Sequence, residues 1–338
     1  MKKFICIILA ALLSMLYTSA LADSVHVDEL ITTPVFELQL DADVEMPSAD
    51  IKLYETNGAD ITLDKMTEFF GNGEHKAVKR DSDGAYVYDS GNTMDAYYFP
   101  DEARISVTYM EDDYVISWTK AKNNEQAEGL ITTPEQAIDM AQKWVDEFSS
   151  KFGLEGYKFN TCYTMPPQVF GEKEVESGAT NELGEPVTGY YIVEFDKCMD
   201  GIAVSRDISP YMYMETELIA EGDVLDILVD DRGIVRIDGF CRNYVEKSTE
   251  TIQIQFEDAM EIFRENMDYV NCNPDMPCVI DEISLCYRLV QHLPMYDKNT
   301  LVCTQVRPVW RFASDVGRNN RTDVYFLLID AITGEVIS

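Results

Sequence analysis

The chain closes on TDVYFLLIDAITGEVIS (322–338): an apolar strand, a turn and a short returning strand. The stretch VLDILVDDRGIVRI at 224–237 has the same grammar. Each lies downstream of an amphipathic helical pattern, one at 133–148 and one at 256–267. Val324 to Ile329 is apolar without alternation, which predicts a central strand covered on both faces. Asp231-Arg232-Gly233 and Ile332-Thr333-Gly334 occupy corresponding turns. The spacing reads as an internal repeat of about 90–100 residues, longer than solenoid periods. The expected fold class is α+β: an N-terminal α+β unit, then two repeats, each an amphipathic helix packed on an antiparallel sheet.

The N-terminus reads as an export signal over residues 1–22. Lys2 and Lys3 precede an apolar run from Phe4 to Leu16, and Ala20-Leu21-Ala22 is a small-x-small cleavage site. That run is shorter than the ~20 apolar residues of a membrane helix. Position 23 is Asp rather than Cys, so the sequence predicts no lipid anchor. These features predict an extracellular or cell-surface location without a membrane span. The formal net charge is −34. Such a surface repels phosphate backbones and excludes nucleic-acid binding, while it suits basic partners. With 46% hydrophobic residues the chain has ample apolar content for a core.

Residues 23–34 read as a polar tail within an N-terminal unit, 23–129. VFELQLDADVEM alternates as a half-buried strand, with Asp41, Asp43 and Glu45 on its solvated face. Thr62 caps a short helix that Gly71 and Gly73 stop. The first repeat, 130–247, opens at Thr133-Pro134-Glu135-Gln136, a capping box with proline at the first helical position. Ala137, Ile138, Ala141, Trp144, Val145 and Phe148 then form a core stripe. The connection over 166–188 is longer than ordinary loops and reads as a functional segment. The second repeat spans 248–338. Tyr211 to Met214 is apolar on both faces and reads as a buried central strand, with a partner-receiving edge as the alternative. Trp310 reads as core.

Seven cysteines remain after export. Strand parity offers Cys286 with Cys303 and Cys162 with Cys198, and the turn NPDMP offers Cys272 with Cys278. Sequence does not derive connectivity, and the same residues read equally as buried thiols.

TTPEQAIDMAQKWV and DAITGEVI (330–337) resemble the PepSY pattern of a capped helix followed by strands with a D-A-x-T-G-E-V turn. The order GYYIVEFDKC, VLDILVDDRGIVRI, QFEDAMEIFRENM, RPVWRF and LLIDAITGEVI is similar to a clostridial family of exported proteins of uncharacterised function. The layout is also similar to the YycH/YycI regulatory group. The resemblance covers about residues 35–338 and implies PepSY-like repeats outside the membrane. It carries over no catalytic residues.

The three histidines, His26, His75 and His292, are far apart, and no H-E-x-x-H exists. No G-x-S-x-G elbow or glycine-rich phosphate loop appears. Cys286 or Cys303 with His292 is the only local thiol–imidazole combination. Asp81-Ser82-Asp83-Gly84 departs from a calcium loop in its glycine position, and Asn92 stands where the bidentate Glu belongs. No catalytic, cofactor or metal site is predicted. The sequence reading is an exported, non-enzymatic binding or regulatory protein that holds a peptide or protein partner. A hydrolase with an unrecognised acidic site is the alternative.

Overall fold

The computed structural model describes residues 24–34, 36–47, 50–56, 61–71, 75–82, 84–89, 94–99, 104–110, 122–123, 125–166, 168–169, 173–174, 188–206, 213–214, 217–219, 222–267, 278–292, 304–313 and 327–337. The export-signal reading lies outside them. Strand outweighs helix by 55% to 19%, which overturns the expected α+β architecture of two helix-on-sheet repeats.

One sheet has ten strands. Its order is β4 (Val78–Lys79), β5 (Tyr86–Asp89), β6 (Met94–Phe99), β7 (Arg104–Met110), β17 (Gly233–Arg242), β16 (Val224–Asp230), β12 (Tyr190–Met199), β9 (Tyr157–Met165) and β8 (Lys122–Asn123), with β13 (Ile202–Ala203) beside β12. A second sheet runs β14 (Tyr213–Met214), β15 (Glu217–Ile219), β20 (Glu282–His292), β21 (Thr304–Ala313), β3 (Asp50–Thr56) and β18 (Tyr244–Thr251), with β22 (Leu327–Asp330) on β21. The third is three-stranded: β1 (Ser24–Thr32), β2 (Glu37–Glu45) and β19 (Cys278–Ile280). A small ribbon of β10 (Gln168–Val169) and β11 (Lys173–Glu174) lies within the long 166–188 connection. Among these named strands only β19 and β2 pair in parallel.

The recurrence seen in sequence is a turn, not a domain. Asp230 accepts from the Arg232 N–H at 2.7 Å, and Asp330 accepts from Ile332 and Thr333 N–H at 2.8 and 2.9 Å. Gly233 and Gly334 both adopt positive φ, 116° and 74°, which a side chain resists. The two turns lead into unlike structure. After Gly233 the chain runs a ten-residue strand that pairs onward with β7. After Gly334 it makes a single bridge, Ile329 to Val336. β22 is buried along its length, as its apolar run predicts, but among the named strands it pairs only with β21. Tyr213 and Met214 form the terminal strand of their sheet rather than a central one. Tyr211 and Met212 lie outside the described residues.

Helix α1 spans Leu63–Phe70, α2 Pro134–Phe152 and α3 Phe256–Glu265. The capping box forms as read: Gln136 N–H donates to Thr133 Oγ1 at 3.3 Å, and Thr133 N–H donates to Gln136 Oε1 at 2.9 Å. Ala137, Ala141, Val145, Phe148 and Phe152 of α2 bury against Tyr191, Val193, Phe195, Leu225 and Ile227. The two alanines let the helix approach the sheet closely. Phe69 and Phe70 of α1 close over Trp144, Phe148 and Phe152 in an aromatic cluster. The other core sets Phe256, Ala259, Met260 and Phe263 of α3 against Trp310, Phe312, Leu327 and Ile329, and includes Leu38 to Val44 of β2. Residues read as one N-terminal unit thus serve two cores. The sheets meet where Val204 bridges Tyr287, and where Lys52, itself 2.9 Å from Glu246 of the neighbouring strand, lies 3.1 Å from Asp200.

Candidate peptide-binding edge

The segment read as a polar tail is β1, the edge strand of the three-stranded sheet. Its alternation is masked because both parities carry polar residues. On its partner β2, Leu38, Leu40, Ala42 and Val44 point into the core, while Glu37, Asp41, Asp43 and Glu45 face solvent. The β1 register sets His26 opposite Asp43, Asp28 opposite Asp41 and Ser24 opposite Glu45. Five carboxylates therefore share one outer face: Asp28, Glu37, Asp41, Asp43 and Glu45. His26 Nδ1 sits 3.0 Å from Asp43 Oδ1, and Gln39 Nε2 donates to Asp28 Oδ1 at 2.7 Å. Directly opposed like charges such as Asp28 and Asp41 destabilise a sheet.

The inner face of β1 is half apolar. Val27 and Ile31 pack partly on the core. Glu29 accepts two hydrogen bonds from Arg264 of α3, at 3.1 and 2.7 Å. Those bonds hold its carboxyl below the ordinary value. Val25 on this face is 40% exposed, and Leu30, opposite Gln39 on the outer face, is 58% exposed. Among the described strands β1 pairs only with β2, so its outer backbone edge faces no described strand.

The cysteine expectations divide. Cys162, Cys198, Cys241 and Cys286 are thiols. The 162–198 pairing fails on register: Cys162 stands opposite Val193, five residues short of Cys198, or about 17 Å along the strand. The 286–303 pairing fails likewise. Cys286 faces Val309, and Thr304, the neighbour of Cys303, pairs with Gln291. Cys303 itself lies outside the described residues, as does Cys272. Cys278 is disulfide-bonded. Cys286 and His292 lie six residues apart on one strand, roughly 20 Å, too far for a thiol–imidazole pair. Burial pushes the Cys162 and Cys241 thiols up to about 12, opposite to what a nucleophile needs.

A second acidic feature crosses the ten-stranded sheet. The registers place Glu194, Asp226, Asp238, Thr108, Asp95 and Asp89 side by side on consecutive strands. Arg206 holds one end, 3.1 Å from Asp196, 3.6 Å from Glu194 and bonded to Asp226. Arg236 bonds Asp238 at 2.7 Å. Toward the open end, burial, the charge of Asp89 and a hydrogen bond with it raise the Asp95 carboxyl. No pattern along the sequence announces this row, because its members are scattered from 89 to 238. A raised acid costs nothing below its unfolded value, 3.8, and costs stability as pH rises through its folded value. Asp95→Asn should therefore raise the urea midpoint near neutral pH, with the gain vanishing as pH falls below about 3.8. A gain that persists at low pH would contradict this origin.

Among the described residues no group of three or more His, Cys, Asp or Glu side chains could hold a metal ion. No described helix is long and apolar enough to cross a membrane. No family model and no curated protein matches the chain. The crystal structure of an uncharacterized protein from Eubacterium rectale ATCC 33656 is similar, with a TM-score of 0.57 at 16% identity, over 92% of this chain and 93% of that one. At that identity the likeness concerns the fold alone.

Proposed function

We propose that the chain is an exported, non-enzymatic binding or regulatory protein that holds an extended peptide segment outside the membrane. The segment adds as a strand to the outer edge of β1. The observation that carries this is an edge strand of nine residues with an exposed Val25 and Leu30. An edge strand presents a row of N–H and C=O groups to a partner backbone, and strand addition is a recurring way to hold peptides. The signal-like N-terminus supports export.

Hydrogen exchange of the mature protein with a neutral nonapeptide of alternating threonine and valine tests the reading. Saturable protection of amides in 24–32 is expected. Binding that leaves those amides unprotected would remove β1 as the site. One observation favours a second reading, an acid-dependent hydrolase: Asp89 and Asp95 are cross-strand neighbours, and Asp95 is raised beside Asp89. Turnover in a broad hydrolase screen, abolished by Asp95→Asn, would establish it.

A further inference from the structure

We infer that the segment held at β1 is basic, with lysine or arginine alternating with β-branched residues over about nine positions. This rests on the strand-addition reading above and names its partner. A strand laid along β1 continues both faces of the three-stranded sheet. Its outward residues extend the face that carries Asp28, Asp41 and Asp43. Its inward residues extend the row of Val25, Val27, Glu29 and Ile31, where Arg264 already holds the one carboxylate and leaves the valines and isoleucine as the apolar contact. Side chains alternate along a strand with period two, so one parity must be cationic and the other apolar.

Charge decides between occupants. The outer face holds five carboxylates against the single imidazole of His26. The whole chain carries −34, which steers cations toward it and repels acidic segments. A second copy would set this acidic face beside its own image, where like charges across strands oppose pairing. A lysine or arginine row instead relieves the Asp28–Asp41 opposition. The acids of β2 lie two strand spacings from such a segment, about 9.6 Å, and long cationic side chains lean across β1 to reach them.

The test uses three labelled nonapeptides on the mature chain: Lys/Val alternating, Glu/Val alternating, and a scrambled Lys/Val of the same composition. Anisotropy titrations should show one-to-one binding of the alternating Lys/Val peptide, at least tenfold tighter than either other. The affinity should fall at least tenfold between about 0.05 and 0.5 M salt. Asp28→Lys with Asp43→Lys, both at exposed positions, should lose at least tenfold while the unfolding midpoint does not fall. Equal binding of the Glu/Val or scrambled peptide, or full affinity in the double variant, would overturn the inference. So would a doubled mass of the peptide-free protein that the double variant abolishes. If the threonine–valine peptide protects β1 but Lys/Val binds no tighter, strand addition stands and the basic partner falls. If no peptide protects β1, both fall.

Discussion

Asp223→Ala should lower the unfolding free energy by about 3–5 kcal/mol. Asp223 is fully buried just before β16, and Arg242, 1% exposed, ends β17. The carboxylate accepts from Arg242 Nη1 at 2.9 Å, from the Arg242 backbone N–H at 3.0 Å and from the Tyr157 hydroxyl at 3.3 Å. Lys197, 2% exposed, lies 4.8 Å from the Tyr157 ring and 5.5 Å from that of Tyr244, and donates to the Glu155 carbonyl. Burial holds the Lys197 ammonium below its ordinary value, so its surroundings tolerate no added positive charge. Removing Asp223 leaves two buried cations without the anion between them. Replacing the pair together, as Asp223→Leu with Arg242→Met, should cost much less, since both desolvation penalties vanish with the charges. Urea unfolding of the three proteins measures the difference. A single-variant loss below about 1 kcal/mol would mean that water reaches Arg242.

Local structure was legible because its causes are local. The Thr133–Gln136 box and the α2 stripe lie within 20 residues, and both form as read. The turns at 230 and 330 were legible for the same reason: an aspartate two or three residues before the backbone N–H groups it accepts. Strand partnership was not legible, because it joins residues distant in sequence. β7 pairs with β17 across more than 120 residues, and β3 lies between β18 and β21. A recurring turn therefore suggested a recurring domain, whereas the sheets on either side of it recruit unequal sets of strands. Parity placed Cys162 and Cys198 on like positions of neighbouring strands, but register sets them five residues apart. The acidic face of β2 was visible as alternation. That it belongs to an edge depended on β1, whose Glu29 and Leu30 break the period that Val25, Val27 and Ile31 carry.

Trp310→Ala should cost about 3–5 kcal/mol and weaken any ligand of β1 as well. Trp310 is 1% exposed, packs its ring 5.6 Å from that of Phe256, and donates Nε1–H to the Ile254 carbonyl at 2.8 Å. Ile254 in turn donates its N–H to the Ala331 carbonyl at 3.0 Å. One side chain thus fixes β21, the residues that enter α3 and the turn after β22. Trp310→Phe keeps most of the apolar volume but leaves the Ile254 carbonyl without the indole, so it should cost about 1–3 kcal/mol. The gap between the two variants separates packing from the hydrogen bond. The effect on β1 travels through α3. Phe263 stacks on Phe312 at 4.4 Å, and Arg264, the next residue, holds Glu29. A helix loosened by the cavity no longer presents that guanidinium in place, so hydrogen exchange over 24–32 should speed up in Trp310→Ala more than in Trp310→Phe. Unchanged exchange there would show that β1 is held by β2 alone.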